Sequence, residues 1–524
     1  MATVIRLLLV ILLGWLAGCA APPPSIAGTG PGIGLNKFDL FLQYLGVASQ
    51  GDGSAAYRQV TRAMARKAIV DAKNINVTYF RVSVTGFFPV VHGQKGNLDL
   101  WRSDPVAYWK VMDQMLADLD ANGIKLIPVF VWNKVQFPAM TGETVTDLLV
   151  RSNSRSHALL VRYVTEFVGR YRSRSTILFY ELTNELNLGV DLDQVSRCKR
   201  DYPPDRCAPQ GNYTTEQMVA FTSSLALVIR RLDPARRVSS GFSTPRPAAE
   251  SLRRKPEWLR GGADWTRDNR GALARNLLDI HQGMDIISVH LYPNRENRRF
   301  GVDELGLLGI LKDTADQAGK PLFIGEFGGA NGEGVGTDSF MDKMIERIDS
   351  LDVPYSAVWG WEFYQTAPHA TRDTEATAYV IEPGYADRII SVLSRANHRQ
   401  GKRQAKRMDK DTTPPNVVLT WPLPCATVKD GQLVHAVASD DRGRVDRVEF
   451  WLGSMRVAVD NTAPYQWQMD TGAMPNGEYS LHTRAYDTAG NVATMARTVF
   501  VGAPAEAAAC AVNLRDDANP LEMR

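Results

Sequence analysis

Apolar runs of strand length alternate with amphipathic stretches of helical length between residues 30 and 398. Eight of the runs have strand character, and a helix-like stretch follows nearly every one. Eight strand–helix units in one region of this size predict an α/β fold, a (β/α)8 barrel of the TIM type. A doubly wound open sheet is the alternative, but no glycine-rich phosphate turn follows the first run. The predicted strands are GIGLNKFDL (32–40), VTYFRVSV (77–84), IKLIPVFVWN (124–133), ILFYELTNE (177–185), RRVSSGF (236–242), DIISVHLYP (285–293), PLFIGEFGG (321–329) and SAVWGWEFY (356–364), and the predicted helices include 54–73, 105–122, 156–172, 214–232, 301–318 and 336–350.

The pattern changes beyond residue 398. Residues 399–414 are polar and strongly basic and lack an apolar period, which indicates a solvated linker; attraction to an anionic surface or polysaccharide is the alternative. Residues 415–511 carry short alternating segments separated by turn residues, a pattern typical of a small antiparallel β-sandwich. The stretch PNGEYSLHTRAYDTAGN within them resembles bacterial immunoglobulin-like modules. We therefore expect a barrel at 31–398, the linker, an immunoglobulin-like sandwich and a frayed tail at 512–524.

The chain opens with an export signature, MATVIRLLLVILLGWLAGC. A positive residue, Arg6, precedes an apolar stretch that is too short for a permanent membrane span. The letters LAGC resemble a bacterial lipobox, in which cleavage before the cysteine exposes a thiol for lipid attachment. We therefore expect a signal peptide at 1–18, a lipid on Cys19 and a tether at 19–30, which would hold the protein at the cell envelope of a bacterium, on the periplasmic face or at the outer membrane. An ordinary secretory signal with an incidental cysteine is the alternative.

The remaining cysteines are even in number, which fits an oxidising compartment. Cys198 and Cys207 bracket a loop that is short enough to close locally, and Cys425 and Cys510 bracket the predicted sandwich. The hypothesis that follows is a disulfide within each of these two pairs.

Charge and composition exclude several functions. The 524 residues carry 60 Lys and Arg against 57 Asp and Glu, a net charge of +3, which argues against a dedicated nucleic-acid binder. The eight histidines include no HxH or HExxH spacing, and no CxxC pair occurs, so zinc chemistry is disfavoured. The first predicted strand carries no histidine, which disfavours a metal-dependent barrel hydrolase as well. We expect no metal and no organic cofactor.

Functional side chains of a barrel are expected at the C-terminal ends of the strands, on positions that point inward. Glu185 ends the fourth predicted strand with the parity of Glu181, and Glu326 ends the seventh in register with Leu322 and Ile324. Two carboxylates are therefore expected to face each other across the barrel mouth. Further residues of inward parity are Arg81 on the second strand, His290 and Tyr292 on the sixth, and Trp359 and Trp361 on the eighth.

These residues resemble glycoside hydrolase family 5 and its wider clan of retaining (β/α)8 glycosidases. The resemblance implies that Glu185, preceded by Asn184, is the acid/base and that Glu326 is the nucleophile. It departs from the family at Leu186, where proline is usual, and in the lack of a histidine after the third strand, so it does not extend to a cellulase. The resemblance implies that the substrate is bound by Asn184, Arg81, His290, Tyr292 and Trp361. Trp132 and Asn133 are further candidates for substrate binding, because they lie at the end of the third predicted strand.

The chemistry of retention gives each residue a physical task. Two carboxyl groups must lie about 5 to 5.5 Å apart, one to attack the anomeric carbon and one to protonate the leaving oxygen. Glu326 must stay ionised, which Arg81 and the Tyr292 hydroxyl can secure, and Glu185 must begin protonated, so its surroundings are expected to raise its pKa. Asn184 is placed to contact the sugar 2-hydroxyl, and Trp361 offers a flat apolar face to the sugar ring.

Plainer roles are expected for several other residues. Trp451 is predicted to be exposed on a polar face of the sandwich, where a neighbouring loop could shield it or it could stack on a sugar or the barrel. Five residues are interpreted as packing or structural residues: Glu181, Trp359, Glu362, Trp421 and Trp467.

The sequence therefore predicts a retaining glycoside hydrolase that cleaves β-linked polysaccharide or oligosaccharide of the glucan or mannan type at the cell envelope. The alternative is a catalytically silent carbohydrate-binding lipoprotein. The intact pair of Glu185 and Glu326 argues against that alternative, because binding alone does not require it.

Overall fold

Two β-rich units make up the computed structural model of the protein: an eight-stranded parallel sheet followed along the chain by two antiparallel sheets. The predicted signal peptide, the tether with Cys19 and the tail at 512–524 lie outside the described residues. The structure describes residues 32–46, 61–85, 97–201, 207–259, 262–293, 298–329, 340–362, 381–384, 386–408, 411, 413–440, 445–472, 474–502 and 510.

The parallel sheet is a barrel. Neighbouring strands pair in the order β5-β4-β3-β2-β1-β8-β7-β6, and a parallel bridge between Ser239 and Ile286 joins the two ends of that order. The predicted α/β barrel is thereby confirmed. Its strands are β1 (Ile33–Asn36), β2 (Tyr79–Ser83), β3 (Lys125–Val131), β4 (Tyr180–Thr183), β5 (Val238–Ser239), β6 (Ile287–Leu291), β7 (Leu322–Phe327) and β8 (Tyr355–Val358).

Helices surround the barrel, and local signals set where many of them begin. Side chains of Thr61, Asp104, Ser154 and Thr214 each accept a hydrogen bond from a backbone N–H of the first helical turn. The helices capped by Asp104, Ser154 and Thr214 lie within one residue of their predicted bounds, whereas the helix predicted at 54–73 begins only at Arg62. The described helices are α1 (Leu40–Leu45), α2 (Arg62–Asn74), α3 (Asn97–Ser103), α4 (Pro105–Asn122), α5 (Gln136–Thr141), α6 (Val145–Val150), α7 (Arg155–Tyr171), α8 (Gln194–Asp201), α9 (Thr215–Leu232), α10 (Ala249–Arg254), α11 (Arg270–Ile280), α12 (Glu304–Gln317), α13 (Phe340–Ser350) and α14 (Asp387–Met408).

The barrel interior is filled in layers, which leave polar groups only towards the mouth. The lowest layer is apolar and fully buried. Above it lie the buried charges of Arg81 and Glu181, and at the mouth three aromatic rings, Phe38, Trp132 and Trp359, pack together. The apolar layer consists of Tyr79, Ile127, Phe179, Ile286, Phe323 and Ala357.

Strand β7 has the opposite parity to the one predicted. Phe323 points into the barrel, whereas Leu322 and Ile324 pack in the layer between strands and helices. The register of β7 shifts against both neighbouring strands around Gly325, and this β-bulge turns Glu326 back towards the interior. A Cβ at Gly325 would lie 2.8 Å from the His290 ring nitrogen Nε2, so the bulge also depends on glycine.

The predicted linker is in part a helix. α14 runs to Met408, so most of the basic segment continues the barrel domain rather than leaving it. The Asn397 side chain is buried and bonds both backbone groups of Ile33, accepting from its N–H at 2.7 Å and donating to its carbonyl at 3.0 Å. The large apolar residues that this helix buries, among them Ile389, Val392 and Leu393, all precede residue 398, so the basic half that follows has no apolar period.

Two sheets with mainly antiparallel pairing follow, as the predicted sandwich requires; the short strand β10 pairs with β16 in parallel. A five-stranded sheet has the order β10-β16-β15-β12-β13, and a three-stranded sheet has the order β14-β11-β9. Their inner faces enclose a core of their own. The strands are β9 (Asn416–Trp421), β10 (Thr427–Val428), β11 (Leu433–Ser439), β12 (Val445–Leu452), β13 (Met455–Asp460), β14 (Tyr465–Gln468), β15 (Gly477–Asp487) and β16 (Val492–Val501).

The structure also tests the predicted disulfide pairing and the predicted burial of Trp421. Disulfides join Cys198 to Cys207 and Cys425 to Cys510, which confirms the predicted pairing. Trp421, predicted to be in the core, is 41% exposed, because an irregularity in the pairing of β9 with β11 reverses its side. In the described part of the chain, no helix combines the length and apolar character that crossing a bilayer requires.

Candidate active site

Glu185 lies just beyond β4, where the backbone turns sharply. Its φ is 50°, in the left-handed region, and its N–H donates to the Gly241 carbonyl at 2.8 Å. A Cβ on Gly241 would lie 1.8 Å from the Thr183 carbonyl oxygen, and the φ of Gly241 is +75°, so only glycine fits there. The close approach of these two chain segments fixes the backbone of Glu185 at the barrel mouth.

Glu326 is held by two hydrogen bonds, one to each carboxylate oxygen. Arg81 donates from Nη1 to Oε1 at 2.7 Å, and the Tyr292 hydroxyl donates to Oε2 at 2.8 Å. Both partners stabilise the ionised carboxylate, as expected from the sequence. Partial burial and the charge of Glu326 raise the pKa of Tyr292 well above its usual value, so its hydroxyl keeps the proton that it donates.

The two glutamates lie within reach of one sugar ring. One carboxylate oxygen of Glu185, one of Glu326 and a ring nitrogen of His290 all lie within 4.8 Å of one another. This proximity fits the spacing of about 5 to 5.5 Å that retaining glycosidases use and not the roughly 6.5 to 9.5 Å of inverting ones. The Glu185 side chain is 32% exposed and that of Glu326 only 7%, so Glu185 is the more accessible from the mouth.

Arg81 is the centre of the polar layer. It is fully buried and donates to Glu181 at 2.6 Å, to Asn36 at 3.0 Å and to the Asn184 Oδ1 at 2.8 Å, besides Glu326. A single cation therefore ties strands β1, β4 and β7 together. Because the Asn184 oxygen is taken by Arg81, its amide nitrogen is oriented as the group available to a substrate hydroxyl.

His290 connects the two carboxylates. Its Nδ1 lies 2.9 Å from Glu185 Oε1 and 3.5 Å from Glu326 Oε2. Burial raises the pKa of Glu185. The hydrogen bond and charge of His290, the charge of Arg81 and a hydrogen bond with Ser243 together lower this pKa by more than burial raises it, so the net shift is downward. The expected upward shift of the Glu185 pKa is therefore wrong, because His290 bonds the carboxyl directly, a contact that strand parity alone does not predict.

Glu181 has the buried structural position that was predicted. Burial raises the pKa of its carboxyl, and the pairing with Arg81 lowers it only in part. Glu362 also agrees with its predicted place outside the barrel interior, because it pairs with Lys67 of α2 at 3.5 Å. Burial raises the pKa of Glu362 to about 8.

The tryptophan predicted to face the substrate is the wrong one. Trp361 is fully buried, and its indole N–H donates to the Ala68 carbonyl of α2 at 3.0 Å, so it offers no face to a sugar. Trp359 is only partly buried and stacks on Phe38, with ring centroids 4.9 Å apart. β8 ends at Val358, so the alternation assumed for residues 359 and 361 does not extend that far.

The mouth also contains residues that the sequence did not single out. Asn36 and Phe38, at and beyond the end of β1, contact Arg81 and the tryptophans of the mouth. The rule that strand ends carry function would have found them on the first strand as well. Trp132 lies at the mouth as predicted, with its ring 6.0 Å from Trp359. Asn133 instead caps the turn after β3, where its Oδ1 accepts from the Val135 N–H at 3.1 Å.

Among the residues that the structure describes, two groups of side chains have ligand atoms close enough to hold a cation. The first is Glu185, His290 and Glu326, but Arg81 already supplies the positive charge at Glu326, which disfavours a second cation there. The second lies in the sandwich and consists of two half-exposed aspartates and one buried aspartate. Its members are Asp411, Asp440 and Asp487.

Paired glutamates at the mouth of a (β/α)8 barrel, one of them hydrogen-bonded to a buried arginine, define a glycosyl hydrolase. Residues 63–365 match the Cellulase (glycosyl hydrolase family 5) family, and the chain belongs to this family. Residues 415–482 match the Bacterial Ig domain family, in agreement with the predicted immunoglobulin-like module.

Several solved structures are similar to this chain at low sequence identity. An endo-beta-1,4-mannanase from Thermotoga petrophila is 15% identical, with 91% of this chain and 99% of that chain covered and a TM-score of 0.48. An endo-1,4-beta-mannanase from Rhizomucor miehei is 15% identical, with 72% and 99% covered and a TM-score of 0.46. A double mutant of the Cellulomonas fimi endo-beta-1,4-mannanase is 14% identical, with 82% and 88% covered and a TM-score of 0.38. A comparison with curated protein sequences finds no match.

Proposed function

We propose that the barrel hydrolyses β-linked polysaccharide or oligosaccharide with retention of the anomeric configuration, by double displacement. The observation that supports this most directly is the pair of carboxylates: oxygens of Glu185 and Glu326 approach within 4.8 Å, and Arg81 and Tyr292 donate hydrogen bonds to Glu326. The two glutamates are thereby given different environments, as a nucleophile and an acid/base require.

In the first step, Glu326 attacks the anomeric carbon and forms a glycosyl ester. The bond to the leaving oxygen breaks, and Glu185 gives that oxygen its proton. In the second step, water attacks the same carbon while ionised Glu185 accepts the water proton. The ester bond then breaks, and Glu326 returns as a carboxylate.

The downward pKa shift of Glu185 affects these steps in opposite ways. A low pKa favours the ionised form that the second step uses as a base. The first step needs the protonated form, which is populated at lower pH. We therefore expect the rate of the first step to fall as pH rises, and His290 to set where that fall begins.

The ring of the sugar is expected to lie on the aromatic residues of the mouth. Trp359 is partly buried and is backed by Phe38 and Trp132, whose rings are nearly parallel to it. A stack of this kind presents a rigid apolar face, which suits the axial hydrogens of a β-linked pyranose. Asn184 would meet the 2-hydroxyl from the other side with its amide nitrogen.

The direct test uses an aryl β-glycoside with a good leaving group. Glu326→Ala should abolish hydrolysis, and Glu185→Ala should lose it but recover turnover when azide replaces water as the attacking group. The exposed Glu478→Ala, on β15, serves as the matched control and should keep wild-type turnover. Wild-type-like turnover by Glu326→Ala, or an inverted first product by NMR, would contradict the mechanism.

We further propose that the protein is anchored at the cell envelope by lipid on Cys19. The lipobox-like LAGC sequence supports the anchor, and two disulfides suit an oxidising compartment. Incorporation of labelled fatty acid into the wild-type chain, and its loss in Cys19→Ala, is the expected result. Equal labelling of the two chains would exclude Cys19 as the lipid site.

A further inference from the structure

The three-stranded sheet of the sandwich turns one face towards solvent. Alternate residues of its strands lie in the core, and the residues between them point outward. We call the outward set the neutral sheet face. It consists of Asn416, Val418, Trp421, Leu433, His435, Val437, Ser439, Gln466 and Gln468.

Large apolar side chains on this face are open to solvent. Val418 is 41% exposed, Trp421 41%, Leu433 43% and Val437 42%. The strand register places Val418 directly opposite Val437, and Leu433 opposite Gln468. Exposed apolar residues gathered on one face, rather than scattered, indicate a surface that binds something.

Polar groups without partners lie beside these apolar residues. The register aligns Gln466, His435 and Trp421 in one row across all three strands. Within the described part of the chain, the side chains of these three residues make no hydrogen bond. The row therefore offers an amide, an imidazole and an indole N–H, all free to bond a ligand that lies across the sheet.

The face contains no Asp, Glu, Lys or Arg. The outer face of the neighbouring five-stranded sheet is different, because Arg447 and Arg484 cover aromatic rings there and Arg447 bonds Glu449. The two outer faces of one small domain thus differ sharply in charge. A partner that fits the neutral sheet face must be uncharged and must combine apolar surface with hydroxyl groups.

We propose that the neutral sheet face binds a neutral β-linked glycan chain and holds the substrate polymer near the barrel. Strand spacings of about 4.8 Å and residue repeats of about 6.7 Å make the face roughly 10 by 20 Å, which accommodates a stretch of chain rather than one sugar. The indole of Trp421 stacks on a pyranose face, and Gln466 and His435 bond its hydroxyls. The choice of a β-linked glycan rests on the proposed function of the barrel.

A binding experiment tests the face in the full-length chain, with Glu326→Ala as the background so that the polymer is not consumed. Retention on insoluble mannan and on cellulose is measured for Trp421→Ala and Val437→Lys. The matched controls are Trp451→Ala and Val492→Lys on the other sheet, where Val492 is 43% exposed. Thermal unfolding checks that each variant is folded.

We expect the wild-type face to bind at least one of the two polymers, with no loss at high salt because no charge takes part. Trp421→Ala and Val437→Lys should weaken retention about tenfold or more, and the controls should not. Three results would overturn the proposal. They are equal retention of all variants, retention only on anionic alginate, and a change of oligomeric state or radius of gyration in the two face variants. Aryl glycoside hydrolysis by the unsubstituted chain reports on the barrel alone, so failure there would contradict the proposed function and not this binding.

Discussion

At the scale of single residues, the pKa of Glu185 depends on its hydrogen bond with His290. His290 contacts both carboxylates but lies closer to Glu185, so its hydrogen bond lowers the pKa of the residue that must first give up a proton. Its other ring nitrogen, Nε2, is buried and has no partner among the described residues.

We predict that His290→Phe moves the basic limb of the kcat/KM profile to higher pH. That limb reports the proton on Glu185 in the free enzyme, and removing the hydrogen bond and charge of His290 removes the groups that lower its pKa. The measurement is kcat/KM for an aryl β-glycoside across pH. His482→Phe, in the sandwich, should leave the limb in place; a limb that is unmoved or lower in His290→Phe contradicts the prediction.

The two tryptophans after β8 should respond differently to truncation. Trp359→Ala removes the partly exposed ring at the mouth, so kcat/KM should fall about 10- to 100-fold while the free energy of unfolding changes little. Trp361→Ala opens a cavity in the core and breaks the bond to Ala68, so it should cost about 3 to 5 kcal/mol of stability. Kinetics and chemical denaturation of both variants separate the roles, and the reverse pattern would restore the sequence-based choice of Trp361.

At the scale of elements, helix positions were predictable and strand ends were not. α4 was predicted at its observed bounds, and α7 and α9 within one residue, because caps such as Asp104, Ser154 and Thr214 are local in the sequence. The parity of β7 was wrong although Glu326 was correct, because the bulge is set by pairing with β6 and β8. Such pairing is long-range and leaves no periodic signal in one sequence.

Another long-range contact of this kind leads to a prediction at Gly241. Gly241→Ala places a Cβ against the Thr183 carbonyl, and the Gly241 carbonyl is the group that accepts the hydrogen bond from the Glu185 N–H. We therefore expect the free energy of unfolding to fall by about 3 kcal/mol or more, and most activity to be lost. Gly142→Ala is the matched control, because its φ is +67° but nothing lies within 4 Å of the added Cβ. It should cost only about 1 kcal/mol of backbone strain. Similar losses in both variants would show that conformation alone, and not the contact, makes Gly241 necessary.

At the scale of the whole molecule, the sequence correctly divided the chain into a barrel and a sandwich, since a change in hydrophobic period is visible over tens of residues. Its boundary at residue 398 falls inside α14, however, and the segment taken as a linker is helical to Met408. The cause is physical: the apolar side chains that α14 buries, such as Ile389 and Leu393, lie before residue 398, and the basic part of the helix beyond it lacks an apolar period. The contact that assigns α14 to the barrel joins Asn397 to Ile33, which lies near the other end of the domain's sequence.

That contact makes Asn397 a test of whether α14 belongs to the barrel. Its amide bonds both backbone groups of Ile33, so Asn397→Ala leaves two buried polar groups without partners and should cost about 2 to 4 kcal/mol. Because Ile33 begins β1, the strand that pairs with β2 and β8, the loss should lower the melting temperature of the barrel and leave that of the sandwich unchanged. The exposed neighbour His398→Ala should leave both unchanged. If calorimetry gives Asn397→Ala the wild-type barrel transition, then the helix is a dispensable extension and the boundary predicted from the sequence is the energetic one.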